Sequence, residues 1–180
     1  MRNLIENFIL LVELETDTAA QTYNWRKGPI SDIESIIDDA IERVKQIGEE
    51  QHTLTKNIHA PLPLFLGDQE YLTVAIAQLL SNACKFSDDG TPISIEASAA
   101  QGRINICVKD RGRGIPAHEL ENIWKSFYQI DRTKNEDQGA GAGLAIVEKI
   151  VKLHGGTTTV ESKEDDGSTF KISIPAVDLE

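Results

Sequence analysis

A glycine-rich segment late in the chain could bind an anion. Gly139, Gly141 and Gly143 stand at every second position and run directly into an apolar pattern with helical spacing that begins at Leu144. Glycine lets backbone N–H groups approach a ligand with no Cβ in the way, and a helix N-terminus adds unpaired N–H groups and a partial positive charge. The segment therefore predicts an anion site suited to phosphate, although a glycine hinge or linker would have the same composition.

Two well-known phosphate loops do not fit this segment. A P-loop has Lys followed by Ser or Thr after its last glycine, whereas Leu144 and Ala145 follow here. A dinucleotide-binding loop follows the first strand of a βαβ unit, but this segment follows a polar run, residues 131–138, that has no apolar periodicity. A polar loop beside a phosphate site could close over the ligand as a lid.

Two other groups of polar residues could complete a site. Asp110 stands at the end of an alternating strand pattern and is followed by two glycines, Gly112 and Gly114. A plain turn would explain the glycines but would not require the carboxylate. Gln78, Asn82 and Lys85 have the i, i+4, i+7 spacing of one helix face. Such a polar row is usually a solvated face, so its meaning depends on what lies beside it.

Two long amphipathic patterns predict helices in the first half of the chain. The first opens at a capping box formed by Ser31 and Glu34 and keeps one apolar face as far as Ile47. The second has Asp68 as its N-cap and runs to about Phe86. The polar row described above lies on this second helix.

Two shorter helices are expected in the second half. Pro116 is suited to a helix start and predicts a helix over residues 118–123. The helix after the glycines is expected to reach about Leu153, where a charged His154 imidazole would suit the negative end of the helix dipole.

Alternating or apolar runs predict the strands, and residues 101–102 can form a hairpin turn between two of them. The predicted strands are residues 53–58, 64–66, 92–97, 103–110, 157–162 and 169–174. Runs of adjacent strands with separate helices favour an α/β (α+β) two-layer sandwich, with a mixed, mostly antiparallel sheet packed on about three helices.

The first 30 residues have a different character. Residues 1–16 carry a wide apolar helical stripe that needs a partner, either the rest of this domain or a second copy. Residues 17–28 are polar with scattered aromatics and are expected to form a connector.

Composition excludes several functions. The net charge of −11 and the lack of a basic face argue against nucleic-acid binding. No stretch approaches the roughly 20 apolar residues of a membrane span, and no signal-peptide pattern is present. Cys84 and Cys107 lie inside apolar patterns and are expected to be reduced core residues of a cytoplasmic protein.

Four blocks in fixed order carry a family resemblance. Residues 78–86, 110–116, 123–128 and 139–144 resemble the N, G1, F and G2 boxes of the ATP-binding catalytic domain of bacterial sensor histidine kinases. Residues 68–72 and 167–170 match the usual flanking phrases. The resemblance covers roughly residues 28–176. It divides the chain into the end of the second dimerization helix (1–17), a connector (18–30), the ATP-binding domain (31–176) and a tail (177–180).

The resemblance implies an ATP and Mg²⁺ site. Asp110 would accept a hydrogen bond from the adenine amino group, which guanine lacks at that place, and Thr169 would join this end. Asn82 would hold Mg²⁺ through its amide oxygen, with Gln78 as a second candidate ligand, and Lys85 would reach a phosphate. The implied ATP-binding residues are Gln78, Asn82, Lys85, Phe86, Asp110, Gly112, Gly114, Ile115, Phe127, Tyr128, Arg132, Gly139, Ala140, Gly141, Ala142, Gly143, Leu144 and Thr169.

The catalytic residues implied by the resemblance are Asn82 and Lys85. Phe127 and the lid would close over the phosphates, where Arg132 or Lys134 would make contact. The implied reaction is transfer of the γ-phosphoryl group, in which the protein mainly positions groups and neutralises charge.

Three positions depart from the family pattern. Gln78 stands where asparagine is more common and where ATP-hydrolysing relatives carry glutamate as the base for water; an amide cannot take that proton. Ala140 replaces a common Thr or Ser, and Ala142 replaces a common Leu. These changes favour phosphoryl transfer over hydrolysis and could weaken nucleotide binding or loosen the lid.

The phosphoacceptor histidine of the kinase family is expected to lie outside this chain. Of the four histidines, His118 is followed by Glu119 as in the acceptor motif, but it falls between the G1 and F boxes, where the family has a surface helix. The chain therefore resembles a segment of a longer kinase that begins within the second dimerization helix. The implied partners are an acceptor-histidine dimerization domain, a response-regulator receiver domain and, through the first helix, a second copy of the chain.

Two alternatives differ in class. One is a serine-directed kinase of the same fold, as in anti-sigma factors, against which the dimerization-like first helix argues. The other is a nucleotide-sensing or degenerate module that signals to a partner, which the changes at Gln78 and Ala140 keep open.

Overall fold

The computed structural model describes residues 2–47, 52–130 and 141–177. Within them lie five α-helices and a 3₁₀ turn at Ala117–Glu119. The helices are α1 (Arg2–Leu14), α2 (Asp17–Arg26), α3 (Ile33–Gln46), α4 (Gln69–Phe86) and α5 (Gly143–Leu153). The strands are β1 (Gly28–Ile30), β2 (Leu54–Ile58), β3 (Phe65–Gly67), β4 (Ile93–Ala100), β5 (Arg103–Lys109), β6 (Thr157–Lys163) and β7 (Gly167–Pro175).

The main sheet has five strands in the order β2-β4-β5-β7-β6, and β1 pairs with β3 in a separate two-stranded sheet. Only the β2–β4 pair of the main sheet is parallel. Helices α3, α4 and α5 pack on the sheet, with α4 between the other two. This arrangement confirms the expected two-layer sandwich with a mixed, mostly antiparallel sheet.

The core lies between the sheet and the helices because alternate strand residues point toward α4. Ala97, Ile106 and Ile172 are fully buried at matching positions of three adjacent strands. Helix α4 is buried on most of its surface, as expected of a central helix. Cys84 is buried on α4 as expected, whereas Cys107 is only half-buried, since its position in β5 alternates with the core residues.

Residues 17–28, expected to form a connector, are mostly helical, and the sequence pattern did not predict this helix. On α2, Ala19 is buried and Tyr23 packs edge-on to His154 at 4.8 Å between ring centroids. Arg26 donates to the buried Asp68 carboxylate at 2.6 Å. The helix was missed because its apolar residues are too few to give a helical pattern.

Two helix starts also differ from expectation. The N-cap of α3 is Asp32, whose side chain accepts from the backbone N–H of Ser35 at 3.0 Å, so Ser31 does not form the expected capping box. Asp68 caps α4 as expected, accepting from the N–H of Tyr71 at 3.1 Å. Residues 118–123 form a 3₁₀ turn and further turns in place of the expected helix.

His154 caps α5, but as a neutral side chain. Its Nδ1 lies 2.8 Å from the carbonyl oxygen of Ile150, and its Nε2 accepts a hydrogen bond from the backbone N–H of Asp68 at 2.9 Å. An imidazole that accepts at one nitrogen cannot be protonated there. Burial accordingly lowers the pKa of His154 below its ordinary value, more than its hydrogen bonds and Asp68 raise it. The expected imidazolium was wrong because the ring is enclosed.

We expect stability to depend on pH through His154. A lowered folded-state pKa means that the stabilisation is complete above the ordinary pKa of 6.5 and is lost as pH falls below it. The melting temperature of the wild type should fall more between about pH 7.5 and about pH 5.5 than that of His154→Gln, which cannot protonate in either state. Equal slopes for the two proteins, followed by scanning calorimetry, would contradict this.

None of the helices in the described ranges combines the length and apolar character needed to cross a bilayer.

Candidate functional site

The carboxylate of Asp110 lies just after β5 and is 4% exposed. Its Oδ1 accepts hydrogen bonds from the backbone N–H groups of Gly112 at 2.8 Å and Ser168 at 3.1 Å. Within the part of the chain that the structure describes, both hydrogen bonds to this carboxylate end on Oδ1. Oδ2 is therefore the atom left to accept a hydrogen bond from a ligand.

Burial raises the pKa of Asp110 above its ordinary value, and the two backbone hydrogen bonds offset part of that rise. The ionised carboxylate is thus held at a cost to stability at pH values above its ordinary pKa. Its charge is lost as pH falls through the raised pKa, so any binding that needs an acceptor here weakens in acid.

The loop after Asp110 is fastened on two sides. The N–H of Arg113 donates to the carbonyl oxygen of Phe86 at the end of α4, and its guanidinium lies 4.7 Å from the centre of the Phe86 ring. The N–H of Ile115 donates to Ser162 Oγ at 2.9 Å. Gly114 has φ +67°, and a Cβ there would lie 1.9 Å from the Lys163 carbonyl oxygen. This packing holds the loop that carries Gly114 and Ile115 against Phe86 and β6, next in the chain to Asp110.

Ser168, beside the predicted site residue Thr169, makes a contact with Asp110 that the sequence did not predict. The structure pairs Thr169 with Lys109, and the hydrogen bonds with Asp110 come from the backbone of Ser168. Asp110, Ser168 and Thr169 border one cavity of about 290 Å³. The half-exposed Thr169 alternates with buried Ser168 and Phe170, so its side chain faces the outer side of the sheet. Strand alternation counted back from Phe170 could have shown this.

The polar row on α4 meets the start of α5. Gln78 and Asn82 are half-buried, whereas Lys85, one turn further, is exposed. A Cβ placed on Gly143, the first residue of α5, would lie 2.8 Å from Gln78 Oε1 and 3.8 Å from Asn82 Oδ1. Two amide oxygens therefore converge on one helix N-terminus, and amide oxygen is a ligand that hard cations such as Mg²⁺ accept.

The glycine segment leads into a helix N-terminus, as the sequence predicts. Gly141 precedes Ala142, the N-cap of α5, and the helix begins at Gly143 and Leu144 with no side-chain cap hydrogen bond. The first N–H groups of a helix have no intrahelical partner. They are the groups that an anion would bind. Arg132, Lys134, Gly139, Ala140 and the rest of the proposed lid lie outside the described residues.

Phe127 and Tyr128 precede the proposed lid, and Phe127 is hydrogen-bonded to the glycine segment. The N–H of Phe127 donates to the carbonyl oxygen of Gly141 at 2.9 Å, and Phe127 has the unusual φ of 64°. The hydroxyl of Tyr128 donates to Glu119 Oε2 at 2.5 Å. Phe127 is 51% exposed, so its ring is available at the surface of the site.

Helix α1 also reaches this site, which sequence reasoning did not foresee. Asn7 Oδ1 accepts from Gln78 Nε2 at 2.8 Å, and the ring of Phe8 lies 6.1 Å from that of Phe127. No local pattern could have indicated a contact between residues so far apart in the chain.

Comparison with known proteins gives consistent relatives. The family model described as "Histidine kinase-, DNA gyrase B-, and HSP90-like ATPase" matches residues 67–178. The sensor-like histidine kinase SenX3 of Mycolicibacterium smegmatis is 36% identical over 146 residues, which are 80% of this chain and 38% of that protein. The phytochrome-like protein Cph1 of Synechocystis is 31% identical over 176 residues, which are 97% of this chain and 22% of that protein. The chain thus spans well under half the length of these relatives.

Solved structures agree with the fold. The mycobacterial sensor histidine kinase MprB superposes with a TM-score of 0.71 at 25% identity, covering 83% of this chain and 97% of that one. Full-length ShkA, solved in complex with AMPPNP, superposes with a TM-score of 0.78 at 24% identity, covering 97% of this chain and 35% of that one. At 24% identity, the similarity to ShkA shows a shared fold and no more.

Proposed function

The chain belongs to the histidine kinase-, DNA gyrase B- and HSP90-like ATPases and is an ATP-binding catalytic domain of the bacterial sensor histidine kinase type. We propose that it binds ATP with Mg²⁺ and transfers the γ-phosphoryl group to a histidine on a dimerization domain. The observation that carries the proposal is the meeting of α4 and α5. Two amide oxygens and an uncapped helix N-terminus lie together there, within the same fold that holds the buried Asp110 carboxylate.

The base end of ATP would be selected by Asp110. Its Oδ2 accepts a hydrogen bond from the adenine amino group, while Oδ1 is held by Gly112 and Ser168. Guanine has a carbonyl oxygen at that place, and two acceptors facing each other in a buried site leave both unpaired. The domain should therefore prefer ATP to GTP.

The phosphate end would be held between α4 and α5. The N–H groups at the start of α5 bind phosphate oxygens, and Lys85, from the end of α4, adds a positive charge. Asn82 Oδ1 and Gln78 Oε1 would hold Mg²⁺. The metal, when bound, neutralises charge on the phosphates. ShkA, which has the same fold, was solved in complex with AMPPNP, so a protein of this fold can hold such a nucleotide.

Gln78 favours transfer over hydrolysis. An amide cannot accept a proton from water, so this residue cannot activate a water molecule as a carboxylate at the same position would. The γ-phosphoryl group is then kept for an acceptor brought in from outside. We place that acceptor on a dimerization domain, with a receiver domain as the next partner. The exposed apolar residues Ile5, Ile9 and Val12 of α1 suit pairing with a second copy in the whole protein.

The test is transfer of labelled phosphate from [γ-³²P]ATP to a separately purified dimerization domain. We expect an acid-labile, alkali-stable label on its histidine, no label when that histidine is alanine, and a rate lowered roughly 100-fold or more by Asn82→Ala, because charge stabilisation by a metal is worth several kcal/mol. Titration calorimetry on the same preparation should show binding of ATP and not of GTP.

Two outcomes would contradict the proposal. A folded chain that binds ATP but never labels the histidine would instead be a nucleotide-sensing module. Label on His118, which is exposed on the 3₁₀ turn, in the absence of any partner would mean that the acceptor lies within this chain.

A further inference from the structure

Helix α1 makes a direct hydrogen bond to the metal end of the proposed site. Gln78 Nε2 donates to Asn7 Oδ1 at 2.8 Å, and both side chains are half-buried. The residues are separated by 71 positions, so this contact is made by packing and not by local chain geometry.

The hydrogen bond to Asn7 leaves the oxygen end of the Gln78 amide facing the site. With Nε2 directed to α1, Oε1 lies against Gly143 and on the same side as Asn82 Oδ1. The positive end of the α5 dipole favours an oxygen at this place. The reverse orientation would turn an NH₂ group toward the free N–H groups of the helix and leave two donors facing each other.

Other contacts hold α1 in place without Asn7. Leu11 is 1% exposed. The Tyr71 hydroxyl donates to Glu13 Oε1 at 3.0 Å, and Lys149 Nζ lies 3.5 Å from Glu15 Oε1. Helix α1 is therefore held at its C-terminal end by contacts that do not involve Asn7. Docking of α1 does not require Asn7, whose side chain hydrogen-bonds the Gln78 amide.

We propose that Asn7 is a positioning residue of the nucleotide site: it holds the Gln78 amide with its oxygen toward Asn82 and so makes Gln78 a Mg²⁺ ligand while α1 is docked. This inference rests on the proposed function, since it concerns the metal end of the same site. It adds that a residue of the preceding helix sets the magnesium dependence of nucleotide binding.

The test compares ATP binding with Mg²⁺ and with EDTA by titration calorimetry on the 180-residue chain. The ratio of the two dissociation constants measures the Mg²⁺ contribution. Asn7→Ala should reduce this ratio roughly fivefold to tenfold, the effect expected of one hydrogen bond, with little change in EDTA. Gln78→Ala should reduce it at least as much, and adding Asn7→Ala to Gln78→Ala should change nothing further.

Tyr71→Phe is the matched control, since it removes a hydrogen bond that docks α1 but does not touch Gln78. It should leave the ratio as in the wild type. An equal loss in Tyr71→Phe, or an additive loss in the double variant, would overturn the positioning role in favour of a general effect of helix docking. An unchanged ratio of dissociation constants in Asn7→Ala would overturn the positioning role. ATP binding by the same variant would still support the proposed function. A wild type that binds no ATP in either buffer would overturn both.

Discussion

Asp110→Asn should abolish measurable ATP binding without unfolding the protein. Under the proposed function, Oδ2 of Asp110 accepts from the adenine amino group, while Oδ1 is engaged by Gly112 and Ser168. The asparagine side chain can keep its oxygen on those two N–H groups, but its NH₂ group then faces the adenine amino group. A charge-assisted hydrogen bond worth about 1.5–3 kcal/mol is lost and a donor faces a donor. We expect affinity to fall by roughly 100-fold or more.

The same substitution should leave the folded state at least as stable. Burial raises the pKa of Asp110, so the charged form costs stability above the ordinary pKa of 3.8, and the cost disappears when pH falls below that value. Asparagine removes the charge while keeping the shape. At neutral pH, the melting temperature of Asp110→Asn should therefore equal or exceed that of the wild type. The melting temperatures of the two proteins should differ least at pH values below 3.8.

Calorimetry of ATP binding, paired with scanning calorimetry near neutral pH, separates the two roles. Lost binding together with a marked drop in melting temperature would show that the carboxylate is mainly structural. Retained binding would remove Asp110 from the adenine site altogether.

Gly114→Ala should cause the largest loss of stability among single substitutions in the site. Gly114 has φ +67°, and its Cβ would lie 1.9 Å from the carbonyl oxygen of Lys163. The neighbouring N–H of Asp165 donates to the Arg113 carbonyl, so the two loops cannot separate without losing this bond. A left-handed alanine costs about 1–2 kcal/mol, and forced overpacking adds about 1–3 kcal/mol. We expect a total loss of roughly 3 kcal/mol or more in urea unfolding.

Gly102→Ala provides a matched control. Gly102 has nearly the same φ, +68°, but no atom lies within 4 Å of its added Cβ. Gly102→Ala should lower the free energy of unfolding only by the cost of a left-handed alanine, about 1–2 kcal/mol. The difference between the two variants measures the contact with Lys163. Equal losses would show that the loop after Asp110 can move away from β6 at little cost, and would contradict the prediction.

The parts of the fold that local chemistry controls could be predicted from the sequence. The central helix was recognisable because its N-cap Asp68 and its apolar face lie within one continuous stretch. The turn between β4 and β5 was recognisable because Gln101 and Gly102 stand between two alternating runs, and in the structure both residues take positive φ. The glycine segment and the helix after it were likewise contiguous, so the start of α5 could be predicted from the sequence. The anion site at this helix start stays a prediction.

The errors arose where tertiary contacts decide the outcome. Helix α2 has little apolar periodicity and is held by Arg26 against Asp68, a residue far along the chain. The protonation state of His154 depends on its enclosure by Asp68 and Tyr23. The contact of Asn7 with Gln78 depends on how α1 docks. A sequence shows which residues are polar, but it does not show which buried partner each one meets.

The fastening of the loop after Asp110 has a consequence for the order in which a ligand's parts are recognised. The N–H groups of Gly112 and Ser168 already hold the carboxylate, and the N–H of Arg113 already donates to Phe86 at the end of α4. The proposed adenine end is therefore preorganised and would need no loop to fold around the base. The entropy of ordering this half was lost when the chain folded. If Asp110 selects the base as proposed, we expect recognition of the base not to wait for the phosphates, and adenine-containing fragments that lack a triphosphate should keep the selectivity of ATP at lower affinity.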